Sequence, residues 1–240
     1  MSDVCLNDSL VSQYLKYTFN KDFDKNKIRN LLKYIHPFIV SKNQHKIFDD
    51  PSMCSQINND PLLNLVDNVN NESLVKATTL KLQLVDKCDT SSSFTEVNIV
   101  PLFAHMEKID MSIGATYENS DGKDKAIKHI SALLSDAKWI KITDSYLAAN
   151  PSQWDENKNI LNTLLPKKSI DIIIVTNEFN KKSELETLYD LWEIRAEAIS
   201  DNIHDRYIET DKIKILLSSG IYNLSASSNK DMTYRVKIKS

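Results

Sequence analysis

Residues 170–175 read Ile-Asp-Ile-Ile-Ile-Val, a short apolar β-branched run of the kind that forms a strand buried on both faces. Upstream, Trp139-Ile-Lys-Ile-Thr143 predicts a second strand, and the intervening sequence predicts a helix from about Ser152 to Leu165. A long helix is expected after it, from Ser183 to about Ile199. Strand, helix, strand, helix is the rhythm of a parallel sheet, because each return crossover consumes about a dozen residues or more. On the N-terminal side, Ala126, Ile127, Ile130, Leu133 and Leu134 recur at helical spacing after an Asp121-Gly122 turn. On the C-terminal side, three β-like runs (202–209, 212–218 and 232–238) are joined by short connections that suggest antiparallel pairing. The expected fold of 123–240 is therefore α/β, a mixed sheet flanked by helices.

The first 122 residues are less regular. Leu10, Val11, Tyr14 and Leu15, then Ile28, Leu31, Leu32 and Ile35, predict two helices, capped from Asn7, Asp8 or Ser9 and from Asp24 or Asn26. A polar, Asn-rich stretch (41–71) with Asp50-Pro51 and Asp60-Pro61 turns reads as loop with one short helix. Runs at 74–85, 95–103 and 109–116 favour strands. This gives an N-terminal α+β region (1–122) ahead of the α/β domain (123–240). No internal repeat relates the two.

Composition narrows the function classes. The 240 residues are 41% hydrophobic and 26% charged, a globular balance, and 30 Lys plus Arg against 33 Asp plus Glu leaves a formal charge of −3. A polyanionic partner therefore needs a local basic surface. Three cysteines, Cys5, Cys54 and Cys88, show no C-x-x-C pairing. The sequence has no stretch of the roughly 18–20 apolar residues a membrane span requires and no basic leader, so a cytoplasmic location is expected. Only three glycines occur, which marks Gly220 as a position of positive φ or close backbone approach.

The chemistry concentrates in residues 204–211, His-Asp-Arg-Tyr-Ile-Glu-Thr-Asp. Alternate residues of a strand share a face, so His204, Arg206 and Ile208 point one way and Asp205 and Tyr207 the other. An imidazole beside a guanidinium suits phosphodiester chemistry, since neutral imidazole is a nucleophile near neutral pH and a fixed cation stabilises charge on phosphoryl oxygens. A comparable string from His129 to Asp136 is not a second copy. It lies on a helix, where the third-position Ser131 is about 200° away, and it has no cation.

The octapeptide resembles the H-x-K-x4-D signature of the phospholipase D superfamily, with Arg206 in the lysine position. A G-S-x-N element follows in that family. Here Ser219 matches its serine, Gly220 is displaced, Ile221 replaces its asparagine, and Asn223 lies two residues on. The closer resemblance, over roughly 136–240, is to the phospholipase D-like domain at the C-terminus of MIT-domain proteins and its bacterial relatives. The features that carry it are a first strand ending in Asp144-Ser145-Tyr146, a second ending in Thr176, and the Ile203-His-Asp-Arg206 segment. No three-helix MIT domain is evident upstream.

The resemblance implies a metal-independent phosphodiesterase, a nuclease rather than a lipase, without a cofactor. His204, Arg206, Asp211 and Ser219 would be catalytic: the histidine attacks phosphorus, the cation holds the phosphoryl oxygens and the aspartate orients a histidine. The family reaction uses two histidines, so one motif per chain implies a homodimer. Bacterial relatives point to phage defence or another mobile-element setting. In the MIT-associated members the role is binding of acidic phospholipid, which leaves open a catalytically inactive phosphate-binding or assembly module. Partners would be nucleic acid or anionic phospholipid, with a partner protein as a further option.

Around the motif, ligands of open α/β sheets bind outside the carboxyl ends of strands. That nominates Asp144, Tyr146, Thr176 and Asn177 as pocket residues, with Asp144 reading equally as a loop cap. Arg206, Asn223, Arg235 and Lys237 are the candidate phosphate ligands. Arg235, Lys237 and Lys239 share a face of the last strand, either as a basic rim to the pocket or as lysines guarding a sheet edge.

Overall fold

The computed structural model describes residues 4–33, 37–99, 108–109, 112–117, 122–177, 179–199 and 205–239. The chain divides into two compact units, Met1–His105 and Met106–Ser240.

The first unit runs β1 (Val4–Leu6), α1 (Asp8–Thr18), α2 (Lys25–Leu31), β2 (Phe38–Ser41), α3 (Pro51–Ile57), β3 (Leu63–Val66), α4 (Asn71–Ala77), β4 (Leu82–Val85) and β5 (Thr95–Asn98). Its strands form one sheet in the order β3-β2-β1-β4-β5, and every pairing is parallel. The two expected helices are present with two of the expected caps; the second ends at Leu31, and Ile35 lies outside the described residues. The Asn7 side chain accepts from the Leu10 N–H, and Asp24 accepts from Asn26 and Lys27.

Alternating strands and helices in a parallel sheet make this unit α/β, which corrects the α+β expectation. The strands are three or four residues long, too short to display a period. Part of the run read as extended from Leu74 forms α4, whose Leu74 and Val75 pack on Cys5 and Ile39. The stretch 41–71, expected to hold one short helix, contains α3, and its apolar run Leu63–Val66 is an edge strand.

The second unit contains β6 (Lys108–Ile109), β7 (Ser112–Tyr117), α5 (Lys123–Leu134), β8 (Trp139–Thr143), α6 (Pro151–Leu164), β9 (Ile170–Thr176), α7 (Lys182–Glu186), β10 (Trp192–Ala198), β11 (Arg206–Thr210), β12 (Ile213–Leu217) and β13 (Met232–Ile238). The sheet order is β10-β9-β8-β11-β12-β13-β7-β6. Strands β8, β9 and β10 are parallel, and the rest pair antiparallel, giving the expected mixed sheet. Strand β7 pairs with β13, so this unit starts upstream of the boundary expected at residue 123.

The helix expected over 183–199 is a five-residue helix followed by β10. Trp192 and Ile194 are buried and Glu193 and Arg195 exposed, a period of two that decides for a strand, and the residues from Ala196 to Ala198 are all exposed. One face of the sheet is apolar, with Ile140, Ile142, Ile172, Ile174, Ile208 and Ile215 all buried. The opposite face carries paired charges: Lys141 with Glu197, Arg195 with Asp171, and Lys214 with Glu209.

Candidate functional site

The site lies where β8 and β9 end and β11 begins. Thr143 pairs with Val175 on one side and with Tyr207 on the other. One residue further, the same register sets Asp144 between Thr176 and Arg206. By strand alternation these three side chains emerge on the apolar face, in line with Ile142, Ile174 and Ile208. Asp144 and Thr176 are each only 2% exposed.

Asp144 holds this edge together. Its Oδ1 accepts the Tyr146 N–H at 3.0 Å, and its Oδ2 accepts the Ile221 N–H at 3.0 Å, tying the loop after β8 to the loop after β12. Oδ1 also lies 3.6 Å from Arg206 Nε. Asp144 thus caps the loop after β8. Gly220 has φ −60°, so positive φ is not why it is glycine. A Cβ there would sit 3.2 Å from Asp144 Oδ2 and 3.8 Å from Arg206 Nε, so close approach is the reason.

Arg206 is three-quarters buried, and its guanidinium carbon lies 5.9 Å from the centre of the Tyr146 ring. Tyr146 is itself 57% exposed. Three buried side-chain polar atoms have no hydrogen-bond partner among the described residues: Arg206 Nε, Thr176 Oγ1 and Asn157 Oδ1. All belong to this end of the unit, since Asn157 Nδ2 donates to the Leu147 carbonyl in the loop after β8. Buried unpaired polar groups are costly, and their concentration at one edge marks a place prepared for a polar ligand or ordered water. In the segments that follow β8 and β9, Ala148, Ala149, Pro151, Asn177, Asn180 and Lys181 line an open cleft of about 420 Å³; of the expected pocket residues Asn177 is in this lining and Asp144, Tyr146 and Thr176 are not.

The remaining expected site residues fall in different places. His204 lies outside the described residues. Arg206 and Ile208 do share the inner face, and Tyr207 takes the outer one beneath the Lys214 ammonium, with its hydroxyl donating to Asp205. Asp211 is at the opposite end of β11 from Arg206, where it accepts the Lys138 N–H at 2.9 Å. Five strand residues, about 17 Å, separate the two ends.

Ser219 Oγ contacts Met232 Sδ at 3.1 Å, and Asn223 Oδ1 accepts from Ser228. Arg235 and Lys237 pair across with Leu216 and Lys214, so they project from the outer face, away from the side that Arg206 faces. His129 is a core residue, its Nδ1 2.7 Å from the Tyr234 hydroxyl. Sequence reasoning missed Asn157, whose only signal was a polar residue on the apolar stripe of α6.

No family model matches the chain, and no curated protein matches it. Among solved structures, the chain is similar to TrmBL2, described as an archaeal chromatin protein with a novel mode of DNA binding, at 13% identity and TM-score 0.27, covering 52% of this chain and 45% of that one. It is also similar to the polyphosphate kinase of Porphyromonas gingivalis, at 11% identity and TM-score 0.31, covering 52% of this chain and 23% of that one. The chain spans less than half the length of either.

Proposed function

We propose that the second unit is a phospholipase D-like phosphodiesterase domain whose phosphate-holding cation is Arg206. The observation that supports this most is the buried Nε of Arg206, ion-paired to Asp144 but without a hydrogen bond, at the carboxyl edge of the parallel strands, with the Thr176 hydroxyl, also without a hydrogen-bond partner, on the far side of Asp144. A guanidinium anchored on one side by a carboxylate presents its remaining N–H groups in a fork that fits two oxygens of a phosphodiester. The two amide hydrogen bonds to Asp144 and the neighbouring cation keep that carboxylate from repelling the ligand outright.

In this reading His204, two residues before Arg206, attacks phosphorus and forms a phosphohistidine. A second His204, from another copy of the chain, protonates the departing oxygen, and water then releases the phosphate. Nucleic acid is the substrate class, and a homodimer the active form. The position of Asp211, far along β11 from Arg206, favours the second reading, a module that binds phosphodiesters without turning them over.

The two readings separate on bis(p-nitrophenyl) phosphate in EDTA. An active enzyme releases nitrophenolate, and His204→Ala abolishes release while keeping the thermal transition. Equal release by His204→Ala removes the enzymatic reading, and no release by the wild type with ligand binding retained leaves the binding module.

A further inference from the structure

We propose that the cleft formed after β8 and β9 is a nucleoside site, with Tyr146 the stacking platform that selects base-bearing single strands over other phosphodiesters. The inference rests on the Arg206 phosphate reading and adds to it what lies next to the phosphate.

Tyr146 is a large aromatic side chain left 57% exposed at a site edge. The Arg206 guanidinium carbon lies over the ring, 5.9 Å from its centre, so a phosphate on Arg206 has the exposed part of an aromatic ring within one nucleotide's reach. Aromatic faces bind any base by stacking, which suits a strand read without sequence preference. The loop that carries Tyr146 continues into Ala148, Ala149 and Pro151, an apolar wall of the 420 Å³ cleft, a volume within the range of small-molecule sites. Asn177 and Asn180 also line it, and their amides both donate and accept and so match the mixed edge of a nucleobase.

Among the described residues that line the cleft, the one cation is Lys181, and it is tied to Glu184 at 2.6 Å. An anionic membrane surface is a poorer fit. The other large exposed apolar side chains among the described residues are Tyr17, Leu191 and Leu216. None lies in the loops after β8, β9 or β12 that would have to enter a bilayer beside Arg206.

The test is fluorescence anisotropy with labelled oligothymidylate and an abasic strand of equal length, on the wild type, Tyr146→Ala, Tyr146→Phe and Arg206→Ala, with anionic phosphatidylglycerol vesicles as competitor. The wild type binds the thymidine strand about tenfold more tightly than the abasic strand, Tyr146→Ala binds both alike, and Tyr146→Phe keeps the preference. Because Tyr146 is exposed, its removal leaves the melting temperature unchanged. Equal binding of both strands by the wild type, an undiminished preference in Tyr146→Ala, or vesicles displacing the strand overturns the nucleoside site. If in those cases Arg206→Ala still weakens both strands, the phosphate reading stands. If Arg206→Ala binds both as the wild type does, or the wild type binds neither, the phosphate reading falls as well.

Discussion

Asp144 shows how one side chain can tie two loops to a strand end. It satisfies two backbone N–H groups from loops far apart in sequence and leaves Arg206 Nε at 3.6 Å, near enough for charge attraction but without a hydrogen bond. Gly220 makes this arrangement possible by leaving room beside the carboxylate. Gly220→Ala, at an ordinary backbone conformation, costs about 1–2 kcal/mol of stability from crowding alone, and it weakens phosphodiester binding because the displaced carboxylate carries Arg206 with it. Urea unfolding and oligonucleotide titration on this variant measure the two effects separately. Part of the candidate site's geometry was legible at this scale. The alternation of 204–211 set Arg206 and Ile208 on one face, as they are, and the strand-end rule put Asp144 and Thr176 at neighbouring strand ends. Asn157 was hidden because its role depends on a contact ten residues back in the chain, at the Leu147 carbonyl.

At the scale of elements, α5 illustrates what periodicity leaves out. The helix was expected from its apolar residues, yet Lys123 at its start is fully buried. Its ammonium donates to the carbonyls of Ser228 at 2.6 Å, Lys230 at 2.8 Å and Ser225 at 3.4 Å, clamping the loop between Gly220 and β13. Burial pulls its pKa below the usual lysine value, with the charge of Asp231 opposing. Lys123→Met leaves those carbonyls without their donor, and a loss of about 2–4 kcal/mol in urea denaturation is the expected outcome. A loss below about 0.5 kcal/mol, the range of ordinary surface changes, contradicts the clamp. Sequence alone gave no reason to bury this lysine, since the acceptors are backbone atoms some hundred residues away. The helix expected over 183–199 failed for a local reason: Trp192 and Ile194 are buried with Glu193 and Arg195 exposed, the alternation of a strand.

On the scale of the whole molecule, each unit has its own sheet and its own determinants of stability. In the first, Asp86 follows β4 and accepts from Lys27 at 2.6 Å, Ser9 at 2.7 Å and Asn7 at 3.1 Å. Burial works to raise its pKa, but the hydrogen bonds from Lys27, Ser9 and Asn7 and the lysine charge outweigh it and hold the carboxyl well below the usual carboxylate range. A group depressed in the folded state stabilises above its unfolded pKa, near 4, and that contribution is lost as pH falls below it. The wild type therefore loses thermal stability between about pH 5 and pH 2 more steeply than Asp86→Asn does, as calorimetry across that range will show. The parallel order of this unit escaped the sequence because three-residue strands carry no period, whereas Ile170–Thr176 in the second unit announced itself by length and composition. The claim that unites the second unit is that its carboxyl edge holds a phosphodiester on Arg206. The most direct measurement is the dissociation constant of a short single-stranded oligonucleotide for the wild type, Arg206→Lys and Arg206→Ala at one fixed salt concentration. Losing a charge-assisted hydrogen bond predicts that Arg206→Ala binds more weakly by about 1.5–3 kcal/mol, with Arg206→Lys between it and the wild type. Three equal constants, with all three proteins folded, would contradict it.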